Sequence, residues 1–308
     1  MRRERRLVVG GLPYFGRRLA ALLDGDGWRV RYLETRAWEP RAALRTLREV
    51  AAADLVYHVG GQIERFSRPH LLRLALRRPA VMHWAGTDLL HARRAHATGR
   101  ATPTLSRGVT HWAGAPWLAA ELADLGVRAR WLPHSWVAPP STLPPLPRDE
   151  PFTLLTYLPA GRFAFYGGNA VLALARALPD VRVLVAGADA LPCPAPPNVA
   201  CLGWVREMAP VYARCHALLR LPRHDGLSFM VQEALAAGRY ALWSYPLEGV
   251  DQVHGAADAI AVTRALAERH ARGGLPLNET GAAYVRAQFA AARVRANLLD
   301  GFARVLGE

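Results

Sequence analysis

The segment HDGLSFMVQEALAAG, residues 224–238, is the most informative stretch of this chain. It has apolar residues at the spacing of one helical face, namely Leu227, Met230, Val231, Ala234 and Leu235. Gly238 stands where such a helix would end, because glycine enters the left-handed conformation at little cost. The apolar runs at residues 217–221 and 240–243 predict flanking strands. The segment therefore predicts strand, loop, helix and strand in succession.

Two acids give this helix a chemical character. Glu233 stands inside the predicted apolar helix, and Asp225 lies near its beginning, where backbone N–H groups are free and the helix dipole is positive. Such an end can hold a phosphate, with one acid beside it and a second acid two turns further on. In the alternative interpretation, Asp225 only caps the helix and Glu233 faces solvent.

The segments 225–228 (DGLS) and 233–238 (EALAAG) resemble the signature of retaining glycosyltransferase family 4, which has the GT-B fold. That family carries Glu, seven residues and a second Glu before an Ala/Gly-rich helix end. The resemblance implies that Asp225 contacts the donor sugar, although it is one methylene shorter than the usual Glu, and that Glu233 contacts the donor ribose. It also implies that the donor phosphate lies on Gly226, Leu227 and Ser228, the last of these replacing the commoner glycine.

Two other segments in the second half of the chain resemble the same family. Arg162, in a Gly-Arg loop, corresponds to the residue that binds the donor diphosphate. The turn whose backbone reads the nucleobase corresponds to Gly203, Trp204 and Val205. The family has a lysine five residues after the arginine, where this chain has Gly167. Arg223, or an arginine from the first half, is a candidate to replace that cation.

The first half opens with a βαβ pattern. Residues 7–10 and 28–33 predict strands around a helix at 17–23. The intervening loop GLPYFG departs from the GxGxxG dinucleotide fingerprint, so an NAD-dependent enzyme is a weak alternative. Its glycine instead indicates close backbone approach to a ligand. We expect Gly11 to approach the donor phosphate and Tyr14 to lie on the acceptor side.

The segment HWAGTD, residues 83–88, follows a predicted strand at 79–84. Polar residues at this edge of a parallel sheet are candidates for a binding site. The segment also resembles a block of the family in which the histidine lies near the reacting sugar and the acceptor. We therefore expect His83 to be catalytic together with Asp225 and Arg162, and the acceptor side to include Thr87 and Asp88. In the alternative, His83 is a core histidine and Asp88 a helix N-cap.

The domain organisation follows from a proline-dense segment at residues 133–151. It predicts an acceptor-side domain at 1–147 and a nucleotide-sugar domain at 148–308, because each half repeats strands and helices. The expected fold class is α/β, of the GT-B type, with two Rossmann-like domains facing each other across a cleft. The last helix, within 276–307, is expected to pack back on the first domain; a helix on the second domain is the alternative.

Composition limits the partners. The chain of 308 residues has a net charge of +14 and contains no lysine. Its arginine groups at residues 2–6, 41–48, 65–78 and 93–100 favour anionic partners, but no nucleic-acid motif accompanies them. Because Trp and Leu are mixed with these arginines, a peripheral membrane face is one hypothesis and a solvated basic surface is the other. A helix is also predicted at 69–78.

No apolar run is long enough to span a bilayer, and the N-terminus lacks the apolar core of a signal peptide. We therefore expect a cytoplasmic protein, with contact to the inner membrane face under the first hypothesis. The odd number of cysteines and their spacing predict reduced thiols at Cys193, Cys201 and Cys215. The histidines match no common metal-ligand spacing. We expect no metal and no cofactor, with the nucleotide sugar acting as donor substrate.

The leading hypothesis is a metal-independent transferase that moves a sugar from a nucleotide-diphosphate donor to an acceptor hydroxyl with retention of configuration. The basic first half favours an acceptor that is lipid-linked or anionic. The main alternative is a catalytically weak or inactive protein that binds nucleotide sugars, because Gly167 and Asp225 both depart from the family pattern. A sugar-nucleotide epimerase of the same fold is a further alternative.

Overall fold

The computed structural model describes residues 3–34, 40–63, 76–102 and 108–308. Most of the predicted helix at 69–78 and of the arginine group at 65–78 lies outside these residues, as does Arg2. The chain divides into two compact units. The first unit comprises Met1–Ser135, Asp225–Leu227 and Ala291–Glu308, and the second comprises Trp136–His224 and Ser228–Ala290.

The first unit is built on a parallel sheet of six strands in the order β2-β1-β3-β4-β5-β6. Its strands are β1 (Arg5–Gly11), β2 (Trp28–Tyr32), β3 (Leu55–Val59), β4 (Ala80–Trp84), β5 (Thr110–Ala113) and β6 (Ala129–Trp131). Its helices between strands are α1 (Pro13–Leu23), α2 (Pro40–Ala52), α3 (Thr87–Ala97) and α4 (Pro116–Ala123). Every residue of β3 and β4 is buried, as expected for parallel strands that are covered on both faces.

The second unit has another parallel six-stranded sheet, in the order β12-β11-β10-β7-β8-β9. Its strands are β7 (Thr153–Tyr157), β8 (Arg182–Ala186), β9 (Val199–Gly203), β10 (Ala217–Arg220), β11 (Tyr240–Trp243) and β12 (Val250–Gln252). Its helices are α5 (Gly168–Ala177), α6 (Ala209–Ala213), α7 (Phe229–Ala236), α8 (Ala256–Ala271) and α9 (Glu279–Gln288).

The C-terminal helix α10 (Ala291–Val305) belongs to the first unit. Its Phe302 is fully buried and stacks on Trp112 at 5.2 Å between ring centroids. Gly301 permits this contact, because a Cβ atom built there would lie 2.7 Å from the Trp112 ring. An aromatic cluster thus anchors the helix in the core of the first unit.

The two units meet in sequence at Ser135 and Trp136, earlier than the predicted boundary at 147/148. The proline-dense segment packs on the second unit instead of only linking the two. Its Pro145 carbonyl accepts a hydrogen bond from the buried Arg239, and its Pro147 carbonyl accepts one from His216. Buried polar groups need such partners, which gives the segment a structural role in the second unit.

No helix of the described residues is both long and apolar enough to cross a membrane.

Candidate functional site

The strand order of the second unit marks one position for a ligand. The chain runs outward from β7 through β8 to β9, and then outward in the other direction from β10 through β11 to β12. Ligands of such sheets bind beyond the carboxyl ends of the strands at the point where the direction changes. That point lies between β7 and β10, which pair directly.

Two arginines lie at this point. Arg162 is in the loop after β7, and Arg220 is the last residue of β10. Both guanidinium groups lie over the Tyr166 ring, at 5.4 Å and 5.3 Å from its centroid, and that of Arg162 also lies 4.3 Å from the Phe165 centroid. Burial raises the pKa of Tyr157, and the charges of Arg220 and Arg162 oppose that rise. The two guanidinium groups therefore lie close to the same two side chains, Tyr157 and Tyr166.

Helix α7 follows β10 and begins at Phe229. Its N-cap is Ser228, whose Oγ accepts a hydrogen bond from the Val231 N–H at 3.5 Å. The alternative interpretation that Asp225 caps this helix is therefore wrong. Gly226 and Leu227 also precede the helix, so Ser228 alone of the three predicted phosphate contacts borders it. Gly238 adopts a positive φ of 73° just after the helix, as predicted for a helix end.

Glu233 is half-buried on α7 and has a defined partner. The Tyr212 hydroxyl donates a hydrogen bond to Glu233 Oε2 at 2.9 Å. Burial raises the pKa of Tyr212 well above its usual value, the Glu233 charge raises it further, and Arg220 lowers it. Arg220 thus lies near Tyr212 as well as Tyr166, and connects the surroundings of Arg162 with those of Glu233.

Gly167, where the family has lysine, adopts a positive φ of 78°. A Cβ atom built there would lie 2.5 Å from the Leu221 carbonyl oxygen. Both the backbone conformation and the close approach of the segment after β10 exclude a side chain. A side chain at this position would therefore require the segment after β10 to shift.

The predicted base-reading turn begins at Gly203, the last residue of β9, which is the edge strand. Strand β8 lies between this turn and β7. Trp204 is 81% exposed, and Val205 is half-buried. The turn therefore presents an open aromatic surface two strands away from β7 and three strands away from β10, which carries Arg220.

In the first unit, His83 is fully buried near the end of β4. Its Nε2 contacts the Leu132 carbonyl at 2.8 Å, and its Nδ1 contacts the Tyr57 hydroxyl at 2.7 Å. Because a carbonyl only accepts, Nε2 donates and Nδ1 accepts from Tyr57. Burial lowers the pKa of His83 well below its usual value. The imidazole is neutral with both nitrogens occupied, which favours the interpretation as a core histidine.

The Asp88 carboxylate is hydrogen-bonded to the backbone of two chain segments. It accepts hydrogen bonds from the N–H groups of Gly61, Ala85, Gly86 and Leu89. Burial raises the pKa of Asp88, while these donors oppose the rise. The N-cap of α3 is Gly86, so the prediction that Asp88 is the N-cap is wrong in its position. Thr87, the first residue of α3, is half-buried.

Gly11 has a packing role at the end of β1. Its φ is 100°, and a Cβ atom built there would lie 1.9 Å from the Val59 carbonyl oxygen. Tyr14 is 56% exposed, and its hydroxyl accepts a hydrogen bond from Arg18 at 3.0 Å. Of these two predicted contacts, Tyr14 presents an accessible side chain.

The segment Asp225–Leu227 also belongs to the first unit. The Trp117 indole donates to the Asp225 carbonyl at 2.9 Å. A Cβ atom built at Gly226 would lie 1.8 Å from the Ala85 carbonyl oxygen. Close backbone packing thus requires glycine at 226, whether or not a phosphate binds nearby.

One buried residue at the carboxyl edge of the first sheet is not predicted from the sequence. His134 follows β6 and is 2% exposed, and neither ring nitrogen has a hydrogen-bond partner among the described residues. Its ring lies 4.5 Å from that of His83 and 5.2 Å from that of Phe15. Burial lowers its pKa to about 4. It stands at the start of the proline-dense segment, where no motif marks it.

The predicted residues therefore form two groups. The second unit contains Arg162, Gly203, Trp204, Val205, Ser228 and Glu233, together with the unpredicted Arg220. The first unit contains Gly11, Tyr14, His83, Thr87, Asp88, Asp225, Gly226 and Leu227. Within the described ranges, no group of three or more His, Cys, Asp or Glu side chains is arranged to hold a metal ion. The three cysteines are free thiols.

No protein-family model matches the sequence, and no curated protein is significantly similar to it. Solved structures are similar in fold. The Anabaena HepE structure in complex with UDP and glucose matches with a TM-score of 0.72 and 12% identity, over 97% of this chain and 99% of that one. Sucrose-phosphate synthase from Thermosynechococcus elongatus matches with a TM-score of 0.70 and 14% identity, over 98% and 99%.

The UDP-GlcNAc 2-epimerase from Neisseria meningitidis matches with a TM-score of 0.54 and 13% identity, over 97% of this chain and 100% of that one. At such identities the similarity establishes the fold alone. The predicted α/β class and GT-B fold are confirmed. Because transferases and an epimerase share this fold, the reaction has to be argued from the residues.

Proposed function

We propose that this protein transfers a sugar from a nucleotide-diphosphate donor to an acceptor hydroxyl, with retention of configuration and without a metal ion. The observation that carries the proposal is the arrangement at one edge of the second sheet. Arg162 lies after β7, and the Ser228-capped helix α7 with Glu233 follows the neighbouring β10. This arrangement combines a cation, a helix N-terminus and an acid at the expected ligand position.

The fold neighbours support a nucleotide-sugar donor. HepE was solved with UDP and glucose, and a second neighbour is a sucrose-phosphate synthase. We infer that a nucleoside diphosphate sugar binds at the corresponding edge here, with Trp204 and the backbone of Gly203 and Val205 beside the base.

In the proposed reaction, the bond between the anomeric carbon and the diphosphate oxygen breaks, and the electron pair remains on the diphosphate. Arg162 and the N–H groups at the start of α7 stabilise the developing negative charge. The acceptor oxygen bonds to the same face of the carbon, and its proton passes to the departing phosphate. Arginine and the helix dipole supply the positive charge that a metal ion would otherwise provide.

The two acids have binding roles in this proposal. Glu233 accepts hydrogen bonds from the donor ribose, with its carboxylate oriented by Tyr212. Asp225 accepts from hydroxyl groups of the donor sugar. On the acceptor side, Tyr14 and Thr87 contact the acceptor, while Asp88 and His83 act by positioning the backbone of the strand ends that they bond.

We further propose that the acceptor is anionic or membrane-borne. Helix α2 exposes Leu44 and Leu47 beside the exposed Arg45 and Arg48, a combination typical of helices that lie on anionic lipid. The protein should then sediment with anionic vesicles at low salt and be released at high salt. No sedimentation at low salt would contradict this part of the proposal.

The main test is thermal unfolding with a panel of nucleoside diphosphates and sugar nucleotides. A ligand that binds only the native state raises the melting temperature. We expect a shift for one nucleotide family in the wild type and a much smaller shift in Glu233→Gln, which keeps an oxygen to accept from Tyr212. Glu268→Gln, which changes an exposed acid on α8 in the same way, is the matched control and should behave like the wild type. Equal shifts in Glu233→Gln and the wild type would overturn the ribose assignment.

A second candidate function follows from Gly167, where a lysine side chain would force the segment after β10 to shift. A protein lacking this cation would bind nucleotide sugars and turn them over slowly or not at all. An acceptor screen with the donor identified above distinguishes the two. Transfer to any acceptor supports the enzyme, and binding without transfer or hydrolysis supports the binding protein.

A further inference from the structure

The segment that excludes a side chain at Gly167 also determines where the neighbouring arginine lies. A Cβ atom built at residue 167 would lie 2.5 Å from the Leu221 carbonyl oxygen, which is too close for two non-bonded atoms. Leu221 directly follows Arg220, the last residue of β10. Position 167, after β7, and Arg220, at the end of β10, therefore lie at the same edge of the sheet.

Arg220 and Arg162 both lie over the ring of Tyr166. Their guanidinium carbons lie 5.3 Å and 5.4 Å from the Tyr166 centroid, so they cannot be further apart than the sum of these distances. They come from the two strands that flank the change of direction in the sheet. Both are half-buried or exposed rather than enclosed in the core.

We propose that Arg220 is the second cation for the donor diphosphate and replaces the side chain that Gly167 cannot carry. This inference rests on the proposed function. Guanidinium groups donate forked hydrogen bonds to phosphate oxygens, and two of them match the two phosphates better than one. When the sugar leaves, the diphosphate gains one negative charge, and Arg220 stabilises it together with Arg162.

The position of Arg220 also links the two ends of the donor site. Besides Tyr166, its charge acts on Tyr212, whose hydroxyl donates to Glu233. Both arginines thus lie over Tyr166, and Tyr212 connects Arg220 with Glu233. This order is the one expected if the arginines bind the diphosphate and Glu233 binds the ribose. Arg223, the candidate named from the sequence, has an exposed side chain, and its backbone N–H donates to the Phe165 carbonyl at 2.8 Å.

The test compares the affinities of UDP, ADP and GDP with those of the corresponding nucleosides by calorimetry. The ratio of the diphosphate affinity to the nucleoside affinity measures the contribution of the phosphates to binding, independently of turnover. For the nucleotide that binds the wild type, Arg220→Gln should lose about tenfold or more in diphosphate affinity, because a charge-assisted bond is lost. Its nucleoside affinity should stay unchanged. Arg220→Lys should retain part of the affinity, because it keeps the charge without the fork.

The matched control is Arg214→Gln, an exposed arginine that precedes β10 and so lies at the opposite end of the same strand. It should bind diphosphates like the wild type. Far-UV circular dichroism and melting temperature identify any variant that fails to fold, and Arg220→Lys then provides the decisive comparison. Unchanged diphosphate affinity in folded Arg220→Gln would overturn the role of Arg220 and leave the proposed function intact. Absence of diphosphate binding in the wild type would overturn both.

Discussion

At the carboxyl edge of the first sheet, His83 and Asp88 bond to the protein's own groups, whereas at the same edge of the second sheet Arg162 and Arg220 lie over aromatic rings. In sequence, all four are polar residues at or just beyond the end of an apolar strand. The difference shows that such residues have two kinds of surroundings. They bond to the backbone of neighbouring loops, or they lie against aromatic side chains.

The sheets also differ where the strand order changes direction. In the first unit this point lies between β1 and β3, and the chain there continues through Gly11, Gly60 and Gly61. Each of these glycines has a close neighbour that a side chain would strike. The first unit therefore provides tightly packed backbone at this position, and the second provides cations.

Acidification is expected to have the largest effect on stability and to affect the two units differently. Burial lowers the pKa of His58, His134 and His216 to about 4. The unfolded chain, with a histidine pKa near 6.5, then binds more protons than the native state between these values, so stability falls as pH falls from about 6.5 to 4. His58 and His134 each contribute about 3 kcal/mol to this loss, and His216 contributes less because solvent screens its charge more.

Two of these histidines belong to the first unit and one to the second. Hydrogen exchange measured as a function of pH should therefore show the first unit opening before the second. His134→Leu should weaken the pH dependence. Equal opening of both units, or a stability that is constant between pH 7 and 4.5, would contradict the prediction.

The second test removes the Asp88 carboxylate. Asp88→Ala leaves the N–H groups of Gly61, Ala85 and Gly86 without this acceptor, whereas the Leu89 N–H keeps the Gly86 carbonyl at 2.9 Å. We expect a loss of about 3 kcal/mol in the free energy of unfolding, measured in urea. Asp88→Asn keeps one accepting oxygen and should lose less. If Asp88 instead contacts the acceptor directly, turnover will fall while stability stays near that of the wild type.

The smallest test concerns Gly167. Gly167→Ala should destabilise by about 1 kcal/mol for its positive φ, plus the cost of displacing Leu221. Gly126→Ala, with a similar φ of 72° and open space around it, is the control for the first of these effects. Gly167→Lys should not increase turnover. An active and equally stable Gly167→Lys would show that the segment after β10 moves readily and that this position can take a cation.

The strands of both units agree closely with the sequence. The apolar runs predicted at 28–33, 79–84 and 240–243 correspond to β2, β4 and β11 within one residue at either end. Parallel strands are buried on both faces, so their sequences are continuous apolar runs that can be recognised without the tertiary structure. The βα alternation and the glycines at strand ends follow from the same local rules.

The sequence predicts only some of the residues of the candidate site. Arg162 and Glu233 were selected because they occupy motif positions, but Arg220 has no motif and stands inside an apolar run. Its proximity to Arg162 arises from the pairing of β7 with β10, which are separated by two strands and two helices in the chain. His134 was missed for a similar reason, since its neighbours Phe15 and His83 are distant in sequence.

What the sequence by itself determined is the set of local elements: the apolar strands, the helix after residue 228 and the glycines that end it. Local sterics and hydrophobic periodicity suffice for these. Only the tertiary structure decided which groups each polar side chain contacts. Hydrogen-bond partners such as Leu132 for His83 and Pro147 for His216 come from remote segments. No local pattern encodes such a partner, because it depends on how the strands are ordered and how closely they pack.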